Sequence, residues 1–377
     1  MFTSVIRSIY TTNLGIKSHE SVLVFTDTIE PGESLSEVDR CRRLRLQDVA
    51  LLTAEVGRAF AKKVHYLQYP AMRSHGVEPP AEVWEAAFGK KAITALDKAG
   101  VLEPIFQKET TDAILLKASF ILKKHVRVAV DAVIALANYS TSHTRFRELL
   151  TRVSGARYAS MPLFDVSMFG GPMSVDWKAL ASRTRAIAKM VNNAELVEIT
   201  TPDGSHLKLS KKGRKALPDT GMLTKPGAFS NLPAGEVFFA PVEGCAEGKL
   251  VLRWGPTQVL GSPITLIISE GKVRDVVGND PYADVLRATL AERDENRNIA
   301  ELGIGTNDRA KRPDNILEAE KILGTVHVAL GDNSSFGGVV KTPYHQDFVF
   351  FKPTVTLIAH NGSRSVMMTK GMLSGDI

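Results

Sequence analysis

The sequence predicts two domains. An α/β N-terminal domain with a mostly parallel sheet spans residues 1–190, and a mainly antiparallel β (α+β) metal-binding domain spans residues 191–377. Three observations predict this. β-rich and helical patterns alternate through the first half. Beyond about residue 190, short strands follow one another, broken by Gly, Pro and Asn. Five potential metal ligands, Glu236, Glu301, His327, His345 and Asp347, lie in or beside apolar stretches of that second half.

In the first half, Ser21–Thr26 (SVLVFT) and Val64–Gln68 read as strands. Leu44–Lys62 places Leu, Val and Ala on one helical face, and Ala81–Phe88 and Lys91–Lys98 read as helices. Asp112–Lys117 and Val126–Ala137 add apolar runs, and Thr144 is positioned to cap a helix through Val153. Trp177–Asn192 is one more amphipathic helix. In the second half, Glu195–Thr200 and His206–Ser210 flank Pro202-Asp203-Gly204, a hairpin turn signal. Glu236–Pro241, Lys249–Arg253, Ile264–Ser269 and Val273–Val277 read as further strands, with Glu270-Gly271 as a tight turn. Tyr282–Glu292 and Asn315–Ile322 read as helices.

Composition narrows the function classes. The chain has 377 residues, 44% of them apolar and 23% charged, enough to bury a large core without staples. No run of about 18 apolar residues suggests a membrane span, and the first residues, with Arg7 inside the apolar stretch, do not read as a signal peptide. Cys41 and Cys245 are the two cysteines and form no Cys-x-x-Cys pair, so the cytoplasm is the expected compartment. The net charge of +6 is dispersed. Its densest cluster, Lys211-Lys212-x-Arg214-Lys215, lacks interleaved aromatics and reads as a solvated hairpin end, so no nucleic-acid partner is expected.

Gly303-Ile304-Gly305 is followed by no third glycine, no Walker-type loop occurs, and no Gly-x-Ser-x-Gly elbow is present. Nucleotide binding and serine hydrolysis therefore have little support. The chemistry concentrates late in the chain. His345 and Asp347 stand two apart before the apolar strand Phe348–Phe351, so on extended backbone both face the same way. An imidazole and a carboxylate on one face can hold one divalent metal or two adjacent ones. His327 lies in GTVHVAL, Glu301 in IAELGIG and Glu236 in GEVFFAP. Burying such carboxylates alone is costly, and a shared cation would satisfy all five groups. Pairing of each Glu with an Arg or Lys, or exposure at a strand end, is the alternative.

The blocks Asn231–Pro241 (NLPAGEVFFAP), Ala300–Asn307 (AELGIGTN), Gly324–Gly331 (GTVHVALG) and His345–Asp347 (HQD) resemble the signature segments of the thermophilic aminopeptidase family of metallopeptidases. The resemblance implies a dimeric hydrolase that releases N-terminal residues from peptides. It implies two metals per chain (zinc, cobalt or manganese) on Glu236, Glu301, His327, His345 and Asp347, with Glu301 also holding or shuttling the proton of the nucleophilic water. The family's catalytic tyrosine falls, by spacing from His327, on Ser334. Tyr344 is the nearby phenol that could replace it. The loop Gly337–Asp347 (GGVVKTPYHQD) also resembles 2,5-dihydroxypyridine dioxygenase, a more distant relative that uses one iron(II) and likewise lacks the tyrosine. A peptidase is the first expectation. A mononuclear iron dioxygenase and an inactive homologue are the alternatives, each acting on or binding a peptide or small molecule. The loop Asn138–His143 and the turn at His360-Asn361-Gly362 carry weaker signals.

Overall fold

The computed structural model describes residues 2–256 and 258–375. The chain forms two compact units, Met1–Ser174 with Gly221–Pro233, and Val175–Thr220 with Ala234–Ile377. The first boundary therefore falls at 174/175, where the sequence suggested 190. The helix Trp177–Asn192 groups with the second unit because Ile187, Ala188 and Val191 bury their side chains in that unit's core. A thirteen-residue excursion, Gly221–Pro233, returns to the first unit.

In the first unit, five strands run parallel in the order Lys63–Pro70, Ser21–Thr28, Ala132–Ala135, Arg157–Ser160, Phe229–Asn231. Val22–Asp27 and all of Ala132–Ala135 are buried, as in a parallel sheet covered on both faces. The last strand comes from the excursion. Two expectations need correction. The helix read as Leu44–Lys62 spans Glu37–Gly57. Its start is polar and without apolar periodicity, but Ser36 caps it by accepting from the Asp39 amide. The run Val126–Ala137 divides into a short 3-10 turn, Val126–Val128, and the strand Ala132–Ala135.

The second unit contains an eight-stranded and a five-stranded sheet, antiparallel throughout, with one core drawing on both. The five-stranded sheet runs His345–Phe351, Thr325–Gly331, Ile299–Gly305, Glu236–Phe239, Leu217–Asp219. Alternation decides what each face does. One face sends Val237, Phe239, Leu302, Ile304, Val326, Val328, Leu330, Phe348 and Phe350 into the core. The other carries Glu236, Glu301, His327, His345 and Asp347. The stretch read as a helix over Asn315–Ile322 is a single turn, Ile316–Ala319, capped by Asn315. Glu320 and Lys321 therefore lie beyond the helix.

Thr144 caps the helix Arg145–Ser154 by accepting from the Arg147 amide at 3.2 Å. Its hydroxyl also donates to the Thr141 carbonyl at 2.7 Å. Thr144→Ala is expected to lower stability by about 1 kcal/mol, read as a shift of the urea midpoint at unchanged slope.

Candidate metal centre

Strand register brings the five groups together. Asp347 stands opposite Ala329, which stands opposite Glu301. His345 pairs with Gly331, His327 with Gly303, and Gly305 with Glu236. On this face the residues between the polar groups are therefore Gly or Ala, and the space above them belongs to carboxylates and imidazoles. Gly303 shows how tight this is: a Cβ there would lie 2.0 Å from Cε1 and Nε2 of His327. At Gly305 a Cβ would lie 2.0 Å from the Ile322 carbonyl oxygen and 2.9 Å from the Lys321 carbonyl carbon. The missing side chain lets the Glu320–Ile322 segment lie against the strand.

The five residues form two triads that share Glu301. Glu236, Glu301 and His327 make one, Glu301, His345 and Asp347 the other, each with one ligand atom per residue within 4.8 Å of the others. His327 Nε2 lies 3.3 Å from Glu236 Oε2 and 3.4 Å from Glu301 Oε1. His345 Nε2 lies 3.6 Å from both Glu301 Oε2 and Asp347 Oδ2. These separations are long for charged hydrogen bonds. Those of His327 match the edge of about 3.3–3.4 Å expected between tetrahedral ligands bound at about 2.0–2.1 Å, and those of His345 are slightly wider. Glu236 Oε2 is also buried with no hydrogen-bond partner among the described residues. The donor set fits a divalent cation.

The two triads differ in setting. His327 is 1% exposed, and its Nδ1 has no hydrogen-bond partner among the described residues. His345 keeps 29% of its side-chain exposure and lies at the open end. Its Nδ1 donates to the Asp332 carbonyl at 2.8 Å, which turns Nε2 toward the two carboxylates. The loop after Gly331 is pinned to hold this carbonyl. Asp332 accepts from the Thr342 amide, Asn333 from the Val340 amide, and Glu243 from the Val339 amide and the Asn333 side chain.

Two further charged residues enter that sequence reasoning missed. Lys321, with 0% side-chain exposure, donates to Glu236 Oε1 at 2.7 Å and to Glu320 Oε2 at 2.8 Å. The stretch LEAEK has the look of a solvated helix end, and nothing in it signals burial. The only hint is Gly305, whose neighbour across the close approach is visible in three dimensions alone. Burial disfavours the ammonium of Lys321, but Glu236, Glu320 and Asp219 outweigh it and hold its pKa well above the ordinary value. Burial pushes Glu320 up to about 8, although Lys321 opposes this. Burial raises Glu301 as well. Burial works against charging both imidazoles, but the carboxylates prevail, lifting His327 to about 9 and His345 to about 10. Burial would raise Asp347, yet His345 and His327 and a hydrogen bond from Glu320 hold it far below the usual range.

The remaining candidates lie differently. Ser334 is exposed, and its hydroxyl bonds Asp332 in its own turn at 3.1 and 3.2 Å. Tyr344 immediately precedes the strand His345–Phe351 and is partly buried against the core.

A family model described as NicX, 2,5-dihydroxypyridine 5,6-dioxygenase, matches residues 174–366, just over half of the chain. The 2,5-dihydroxypyridine 5,6-dioxygenase of Pseudomonas putida KT2440 is 27% identical over 181 residues, 44% of this chain and 51% of that protein. The chain thus spans about half the length of the curated relative it matches. Among solved structures, 2,5-dihydroxypyridine dioxygenase from P. putida KT2440 superposes with a TM-score of 0.69 at 18% identity, covering 100% of this chain and 97% of that one. Wild-type AmpT from Thermus thermophilus, an aminopeptidase T, gives 0.55 at 14% identity, covering 99% of both. The parallel-sheet unit followed by the antiparallel unit is the fold of these proteins.

Two outcomes are expected at this cluster. Gly303→Ala should displace the His327 ring and weaken metal binding, about 10–100-fold if it acts like loss of an orienting partner, measured by competition with a chromophoric chelator. Because the carboxylates raise both imidazoles above neutrality, a cation must displace protons from any ring it uses. Metal affinity should rise with pH from 6 to 8, and binding should release protons into weakly buffered solution.

Proposed function

Because the chain belongs to the 2,5-dihydroxypyridine 5,6-dioxygenase family, we propose that it is a metal-dependent dioxygenase that opens the ring of a hydroxylated N-heteroaromatic substrate. The observation that carries this reading over peptide hydrolysis is that neither hydroxyl the sequence offered for an oxyanion, Ser334 or Tyr344, is directed to the metal-binding face. A hydroxyl donor beside the metal stabilises the tetrahedral oxyanion of acyl transfer, and losing one such donor costs about 10²–10³ in rate. Ser334 is turned to Asp332, and Tyr344 packs against the core. Ring cleavage has no tetrahedral amide intermediate.

In this reading Glu301, His345 and Asp347 hold the metal at the open end of the cluster. Iron(II) bound there would supply the redox contact with O2 and an anchor for a ring hydroxyl. The electrons come from the ring carbons, and both oxygen atoms enter the product, so no separate reductant is required. The Asp332 carbonyl keeps His345 in the tautomer that offers Nε2. His327, buried between Glu236 and Glu301, holds Glu301 in place toward the open end. The exposure of His345 gives a flat ring access to this end.

A two-metal aminopeptidase acting with zinc, cobalt or manganese is the second reading. It is favoured by Glu301, which offers one oxygen to each triad as a bridging carboxylate would.

The readings separate in two assays. Oxygen uptake is followed with 2,5-dihydroxypyridine and related diols on iron(II)-loaded protein. Release of p-nitroaniline from aminoacyl-p-nitroanilides is followed on zinc-, cobalt- or manganese-loaded protein. Uptake with loss of the substrate's ring absorbance supports the dioxygenase, and peptide-bond cleavage without uptake overturns it. Asp347→Asn should abolish turnover. Ser334→Ala should leave the rate near wild type, whereas a fall of about 10²-fold would restore that hydroxyl to an oxyanion role.

A further inference from the structure

We propose that Lys321 is the second cation of this centre: its ammonium stands where an inner metal ion would, and it is the residue that limits the chain to one divalent metal. This rests on the metal-centre reading above and adds to it the residue that sets the number of ions.

The two triads present the frame of a binuclear site, with Glu301 shared between them. A binuclear centre needs about four positive charges to offset its carboxylates. The inner half here already has a permanent one. Lys321 Nζ lies 2.7 Å from Glu236 and 2.8 Å from Glu320, with no side-chain exposure. Asp219 stands opposite Glu236 in the sheet and adds to the same field. One Glu236 oxygen is thus committed to the ammonium. A dication bound to the other would face a like charge across a single carboxylate, in a water-poor setting where repulsion is weakly screened. Among the described residues no lysine or arginine pairs with Asp347 or His345 at the open end.

The imidazoles point the same way. A metal-bound histidine ordinarily donates its other ring N–H to a fixed acceptor. His345 does so, to the Asp332 carbonyl. His327 Nδ1 has no partner among the described residues. Its Nε2 instead lies between Glu236 and Glu301, where it links the lysine-compensated half to the metal-compensated half. His327 is then a positioning residue for Glu301, and Lys321 is held in place by the backbone approach that Gly305 permits.

The test counts ions on the whole chain. Metal-free protein is equilibrated with excess Mn(II), passed through a desalting column, and analysed for metal per chain and by EPR. One equivalent with an isolated-ion spectrum is expected for the wild type. Two equivalents with a spin-coupled spectrum would overturn the inference and leave the metal centre standing, whereas no retained metal would overturn the metal centre itself. Lys321→Met, checked for folding by circular dichroism, should take up a second equivalent. Retention of one ion by the folded variant would overturn the role of Lys321. Lys321→Gln keeps a hydrogen-bond donor toward Glu236 and Glu320, removes the charge, and covers the case in which Lys321→Met does not fold. It should likewise take up a second equivalent, and retention of one ion by the folded protein would overturn the role of Lys321.

Discussion

Burial of negative charge on one face of a sheet is the constraint that governs the second unit. Glu236, Glu301, Glu320 and Asp347 crowd together over strands whose opposite face is the core. An uncompensated carboxylate in such a place costs several kcal/mol, and four together would oppose folding strongly. Lys321 compensates part of this charge from within the chain, and the imidazoles take up more. The geometry left over, an imidazole and two carboxylates near the surface with Nε2 fixed from behind, is that of a site that gains stability by taking a divalent ion. Stability and function therefore draw on the same charges.

Space for the cluster comes from omission. Where the core face carries Leu, Ile, Val and Phe, the other face carries Gly303, Gly305, Ala329 and Gly331 between its ligands. The imidazole of His327 occupies the position a side chain on Gly303 would need. The absence of a side chain at Gly305 admits the segment that delivers Glu320 and Lys321. A sheet that grew larger side chains on this face would keep its core and lose its site.

The fold does not choose the chemistry. The same two-unit architecture carries a 2,5-dihydroxypyridine dioxygenase and an aminopeptidase among solved structures.

The sequence by itself determined the two-unit order, the parallel and then antiparallel texture, and the faces of the strands. These follow from period-two alternation and from turn residues, which are local properties. It also picked out Glu236, Glu301, His327, His345 and Asp347, because polar groups inside apolar runs stand out against that alternation. The helix start at Glu37 escaped because a cap, and not an apolar stripe, defines it. Only the tertiary structure decided that Lys321 is buried among carboxylates, that Glu320 joins them, and that Asp332 orients His345. Those contacts join segments whose own residues look solvated or loop-like. Their meaning arises when strand register and two glycines bring them against the ligand-bearing face, and no local pattern encodes that approach.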